Sequence, residues 1–180
     1  MAGAESVGLM TGLYYFGRPD SYRSLGMADA RKEAEVAARI WCAADELWGV
    51  ELGPVLDFEK GDPQDTYNAR WALEWLQRVE ALTGRLPWLY TARWAYNRYF
   101  KKAPADLVAE LTRYPCWLAD YDGDPSDEIA PFPFWTIWQY SGRGAVPGVD
   151  GRCDLNVMRG SAYDALLCGT FDREYRELVP

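Results

Sequence analysis

Asp57 and Glu59 stand one residue apart in the run Pro54-Val55-Leu56-Asp57-Phe58-Glu59. On an extended strand, side chains at i and i+2 leave the same face, and their Cα atoms lie about 6.6 Å apart at ~3.3 Å per residue. Two carboxylates so placed suit hydrolysis of a glycosidic bond. One, protonated, assists the leaving oxygen, while the other stabilises or attacks the developing cation. Like-charge proximity and desolvation would raise one pKa and keep that group protonated. Asp-x-Glu by itself also fits a solvated strand end. The apolar residues before it favour chemistry, because a buried strand rarely carries two inward acids without a reason. Asp154 and Asn156 repeat the i, i+2 geometry later in the chain, where a turn-flanking acid and amide is the plainer alternative. Asp120 either points into a cavity or belongs to an acidic loop with Asp122 and Asp124. That loop lacks the sixth-position glycine and twelfth-position glutamate of a calcium loop.

Absences narrow the chemistry further. The 180 residues contain no histidine, which removes Ser-His-Asp triads, Cys-His dyads and imidazole-based zinc sites. Cys42, Cys116, Cys153 and Cys168 have no paired C-x-x-C spacing, so buried free thiols are expected and neither metal nor cofactor is. Nineteen basic against 27 acidic residues give a net charge of −8. That argues against a nucleic-acid or anionic-membrane partner. No apolar run approaches the ~18 residues of a membrane span, and Met1 to Glu5 shows no signal-peptide pattern. Nine Trp and twelve Tyr are a marked excess. They fit either an aromatic core or a cleft in which the apolar faces of sugar rings pack on aromatic rings.

The elements that must position these residues alternate between strand and helix. Strands are expected at Leu13 to Phe16, within Glu51 to Glu59, at Leu86 to Tyr90, Cys116 to Tyr121, Phe134 to Tyr140 and Arg152 to Val157. Helices are expected from Met27 to Trp48 (stopped by Gly49), from Asp65 or Thr66 to just before Gly84, from Ala92 to Phe100, from Pro104 to Leu111, and from Ser161 to near Gly169. Residues before Gly12 read as a helix end, and Gly142 to Gly151 as a turn-rich loop. Strands apolar on both faces, alternating with helices, indicate parallel α/β architecture in one domain, residues 1–180. The polar residues Asp57, Glu59, Asp120, Gln139, Asp154 and Asn156 gather at C-terminal strand ends, the rim where barrel chemistry sits. A doubly wound sheet is the alternative, but no glycine-rich phosphate loop follows any strand.

Five segments in order carry a resemblance. They are Gly12-Leu13-Tyr14-Tyr15-Phe16, Pro54 to Glu59, Leu89-Tyr90-Thr91, Trp117-Leu118-Ala119-Asp120-Tyr121, and Trp135 to Ser141 followed by Val146-Pro147-Gly148 and Cys153-Asp154-Leu155-Asn156. Together they resemble glycoside hydrolase family 25, the lysozyme-type muramidases, over about residues 3 to 160. The resemblance implies a modified (β/α) TIM-like barrel. It also implies cleavage of the β-1,4 bond between N-acetylmuramic acid and N-acetylglucosamine in peptidoglycan. Carried over by motif, Glu59 is the acid/base, Asp57 stabilises the transition state, and Asp154 shares the cleft. Tyr15 (where the family has histidine), Tyr90, Asp120, Tyr121, Trp138 and Tyr140 contact the glycan. The family's opening Asp-Val-Ser strand and the strand after it have no counterpart before Gly12. Six strand candidates against about eight in a closed barrel agree with a barrel incomplete at the N-terminus. The expectation is a monomeric muramidase acting on peptidoglycan glycan strands, as in a phage endolysin held in the host bacterial cytoplasm until release to the wall. A catalytically impaired peptidoglycan-binding domain is the alternative.

Overall fold

The computed structural model describes residues 2–19, 25–61, 65–123, 131–167 and 169–178. After a single helical turn, α1 (Ala2–Glu5), strands and helices alternate. They are β1 (Tyr14–Phe16), α2 (Met27–Trp48), β2 (Val55–Asp57), α3 (Asp65–Thr83), β3 (Trp88–Ala92), α4 (Arg93–Tyr99), α5 (Ala105–Leu111) and β4 (Cys116–Ala119). Then come β5 (Ile137–Gly144), β6 (Cys153–Met158), α6 (Gly160–Leu167) and α7 (Phe171–Leu178). The strands form one sheet in sequence order, β1-β2-β3-β4-β5-β6. It curls into a half-barrel, with β1 and β6 as its two edges. The expected TIM-like architecture is therefore present in incomplete form.

Register fixes which side chains share a face. Tyr14 pairs with Val55, Tyr15 with Leu56 and Phe16 with Asp57, and Asp57 pairs in turn with Tyr90. Partners in a parallel ladder project to the same side, so Leu56 and Leu89 go to the helices while Asp57 and Tyr90 go to the concave face. On the helical side, Ala30, Ala34 and Ala37 of α2 and Ala69 and Ala72 of α3 are buried. Their small side chains let the two helices approach each other closely over the sheet. Trp71 and Trp75 of α3 fill the remaining space, and the Trp71 indole N–H donates to buried Asp29 at 3.1 Å. Gly49 ends α2 in the left-handed conformation, at φ +65°, where a β-carbon would be strained.

Three expectations are corrected. First, β6 runs antiparallel to β5, with bulges between Gln139 and Ser141 and between Ser141 and Gly144. A short turn joins these two strands, and only antiparallel neighbours can be joined without a crossover. Second, β5 starts at Ile137 and extends to Gly144, into the segment expected to be loop. Phe134 instead packs against Tyr175, with ring centres 5.8 Å apart. Gly144 is required by the close approach of β6, since a β-carbon there would lie 2.3 Å from Leu155. Third, the opening helix stops at Glu5 and does not continue toward Gly12.

Helix α7 has no counterpart in the sequence reading. Phe171 stacks on Trp88 at 4.9 Å, and Tyr175 is buried. Asp172 accepts from the Arg85 guanidinium (3.1 Å) and the Leu86 amide (3.0 Å). The periodicity of Phe171, Tyr175 and Leu178 after Thr170 was a legible signal. Cys42, Cys116 and Cys153 are free as expected, but only Cys116 is buried. Cys168 and Asp124 lie outside the described residues.

Candidate active site

A cleft of about 390 Å³ opens on the concave face. Asp57 and Glu59 from the end of β2, Tyr90 from β3, Gln139 from β5 and Asp154 from β6 form its polar wall. Tyr14, Phe16, Val55 and Trp117 form its apolar wall. Three acids, from strands far apart in sequence, thus meet in one depression.

Phe58, between the two acids, sets their direction. Its ring is fully buried among Phe100 (4.6 Å between centres), Trp71 (6.0 Å) and Tyr99 (6.3 Å). Its amide donates to the Tyr90 carbonyl at 2.9 Å, and its carbonyl accepts from the Thr91 hydroxyl at 2.9 Å. With Phe58 pinned toward the helices, strand alternation turns Asp57 and Glu59 into the cleft.

Asp57 is 9% exposed, and its Oδ1 is buried with no hydrogen-bond partner. Loss of solvent, and then the charge of Glu59, push its pKa up to about 7. Glu59 is also raised, first by desolvation and then by Asp154, with the neighbouring Tyr90 hydroxyl opposing. Tyr90 is raised by burial and by the surrounding carboxylates. Its hydroxyl donates to Gln139 Oε1 at 2.9 Å, and that of Tyr121 donates to the same oxygen at 2.8 Å. The Trp117 indole donates to Asn156 at 2.9 Å, and its ring meets Tyr90 edge-on at 5.6 Å. Such a site holds a proton near neutral pH beside further acids, which is what acid-assisted cleavage of an acetal requires.

Of the residues picked from sequence, the structure brings Asp57, Glu59, Asp154 and Tyr90 into the cleft, with Tyr121 at its rim. Tyr15 is elsewhere. As the partner of Leu56 it faces the helices, 6.1 Å from the Trp75 ring and within the fields of Glu33 and Asp29. Asp120 is buried in an ion pair with Arg93. Trp138 and Tyr140 occupy the opposite face of β5 from Gln139; the Trp138 indole donates to the Asp120 carbonyl at 2.8 Å, and its ring contacts Tyr140 at 5.7 Å. Sequence reasoning did not pick Tyr14, Phe16 or Trp117, and it named Gln139 only as a polar rim residue. Pairing the Tyr14-x-Phe16 alternation with Val55-x-Asp57 would have found the first two. Among the described residues, no group of three or more acids and cysteines is arranged to hold a metal ion.

Comparison with known proteins agrees with this geometry. A family model described as glycosyl hydrolases family 25 matches residues 1–149. Lysozyme M1 of Streptomyces globisporus is 29% identical over 166 residues, covering 88% of this chain and 53% of that protein. Among solved structures, the bacterial lysozyme from Streptomyces coelicolor superposes with a TM-score of 0.68 and 28% identity, covering 94% of this chain and 77% of that one. The Clostridium perfringens spore cortex lytic enzyme SleM gives 0.69 with 25% identity, covering 88% and 52%. The chain spans about half the length of the curated relatives it matches.

Proposed function

The chain belongs to glycosyl hydrolase family 25, and we propose that it is a muramidase that hydrolyses the β-1,4 bond between N-acetylmuramic acid and N-acetylglucosamine in peptidoglycan. The observation that carries this reading is the convergence of Asp57, Glu59 and Asp154 on one aromatic-walled cleft, with the pKa of Asp57 and of Glu59 raised. Residues 1–180 act as one catalytic domain and as a monomer. Glycan rings pack on Tyr14, Phe16 and Trp117, as apolar sugar faces do on aromatic rings.

Glu59, the more open of the two β2 acids, delivers the proton to the leaving oxygen. Asp57 lies deeper, and in its ionised form it faces the oxocarbenium-like charge that develops at the anomeric carbon. The reactive arrangement has the proton on Glu59 and the negative charge on Asp57, so the proton that the free cleft holds on Asp57 passes to Glu59 before cleavage. Asp154 favours the protonated form of Glu59 through its field. The test is loss of turbidity from purified cell walls. Wild-type chain should clear them, and a folded Glu59→Gln variant should be slower by about 10²–10⁴-fold, the usual worth of general acid catalysis. Clearing at the wild-type rate by Glu59→Gln would remove Glu59 from this role. Wall binding without clearing by the wild-type chain would make it a binding domain.

A further inference from the structure

Gln139 is 4% exposed and stands in the cleft wall between two tyrosines. Its Oε1 accepts from both hydroxyls, Tyr90 at 2.9 Å and Tyr121 at 2.8 Å. A carbonyl oxygen has two lone pairs, so these two bonds use its accepting capacity and fix which way the amide faces. What remains is the NH₂ group, a pure donor. The other polar groups of the wall include the acids Asp57, Glu59 and Asp154, which share the proton used in cleavage. The Trp117 indole N–H is already engaged by Asn156.

We infer that Gln139 is a specificity-determining residue whose amide NH₂, locked by Tyr90 and Tyr121, receives the acyl carbonyl oxygen of a 2-acetamido sugar. This rests on the reading that the cleft takes a glycan. The chemical reason is complementarity. A sugar hydroxyl both donates and accepts, and the carboxylates already offer it acceptors. An acyl oxygen only accepts, so it needs a donor; ionised carboxylates offer none, and the acid proton of the cleft goes to the leaving oxygen. An unmatched buried polar group is costly, so a glycan lacking the acyl group leaves the Gln139 donor unpaired and is selected against.

The test compares tetra-N-acetylchitotetraose with cellotetraose. Both are β-1,4-linked and uncharged, and they differ only in the substituent at C2. Binding is read by the intrinsic fluorescence of the chain, which has Trp117 in the cleft wall. Wild-type chain should prefer the acetamido ligand by about tenfold, the factor that one hydrogen bond of ~1.4 kcal/mol supplies. Gln139→Glu keeps the shape and the oxygen that faces the tyrosines, but replaces the NH₂ by an acceptor. It should lose most of that tenfold for chitotetraose and bind cellotetraose within about twofold of wild type. Tyr121→Phe, which frees one side of the amide, should lose about half the preference on a logarithmic scale. Circular dichroism and melting identify any variant that is misfolded, and Tyr121→Phe then carries the test. The inference is overturned if wild type shows no preference, or if folded Gln139→Glu and Tyr121→Phe both keep it. Because binding is read without turnover, a wild-type chain that prefers chitotetraose but leaves cell walls intact refutes the hydrolase reading while supporting this one. A chain that clears walls while folded Gln139→Glu and Tyr121→Phe both keep the full preference does the reverse.

Discussion

Asp57→Asn should abolish wall clearing and yet make the protein more stable at alkaline pH. The unfolded chain ionises Asp57 near its ordinary value of 3.8, whereas the fold holds the proton up to about 7. Between those values the native state binds more protons than the unfolded state. Stability therefore falls as pH rises from about 4 to about 7, and stays lower above that. The penalty is the cost of a carboxylate whose Oδ1 has no partner and whose neighbour is Glu59. Asparagine is isosteric and carries no charge, so it escapes this cost. At about 1.36 kcal/mol per pKa unit the unscreened penalty is roughly 4 kcal/mol, and screening by water in an open cleft reduces it to roughly 1–2 kcal/mol. For a domain of this size that corresponds to a melting temperature higher by roughly 3–6 °C. The assay is thermal unfolding of wild type and Asp57→Asn at about pH 4 and about pH 8. The gain should appear at the higher pH and nearly vanish at the lower, where both side chains are neutral in the fold. An equal difference at both pH values, or a loss of stability at the higher one, would refute the claim that the cleft holds a proton on Asp57.

Three other outcomes follow from the same structure. Tyr14 is 73% exposed, so Tyr14→Ala should leave the melting temperature nearly unchanged while weakening chitotetraose binding about fivefold, the worth of one aromatic contact at ~1 kcal/mol, as measured by fluorescence titration. Phe171→Ala, which removes the ring stacked on Trp88, should cost about 3–5 kcal/mol in chemical denaturation and lower the yield of folded protein. Wall clearing should persist in EDTA, because proton transfer from a carboxyl group to the leaving oxygen needs no metal ion; loss on chelation and rescue by a divalent cation would contradict the scheme.

Much of the site was legible in the sequence because strand geometry is strict. Asp57-x-Glu59 on an apolar run could only send both acids to one face, and the structure sends them to the cleft. Helices α2 to α5 were legible from their periodicity and their glycine or proline boundaries. The face of β1 was not read correctly, because parity there depends on pairing. The motif resemblance points to Tyr15, but its register with Leu56 turns it to the helices, and Tyr14 and Phe16 take the cleft. Trp138 and Tyr140 were misplaced for the same reason, since the Trp-Gln-Tyr run can give the cleft only Gln139 or its two neighbours. Asp120 is ambiguous in sequence between the cavity and an acidic loop, with a glycan contact only by resemblance, until its partner is known; Arg93 comes from a helix whose position no local pattern reveals. The antiparallel return of β6 is equally non-local, as it depends on how a glycine-rich turn folds back.

The most direct test of the account is the chemical identity of the ends released from purified peptidoglycan. Digestion followed by borohydride reduction and mass spectrometry distinguishes the two glycan cleavages. The account predicts that reduced N-acetylmuramic acid accumulates with wild-type chain and fails to accumulate with folded Glu59→Gln. Reduced N-acetylglucosamine as the new end, or the same muramic acid ends at the same rate from Glu59→Gln, would contradict it.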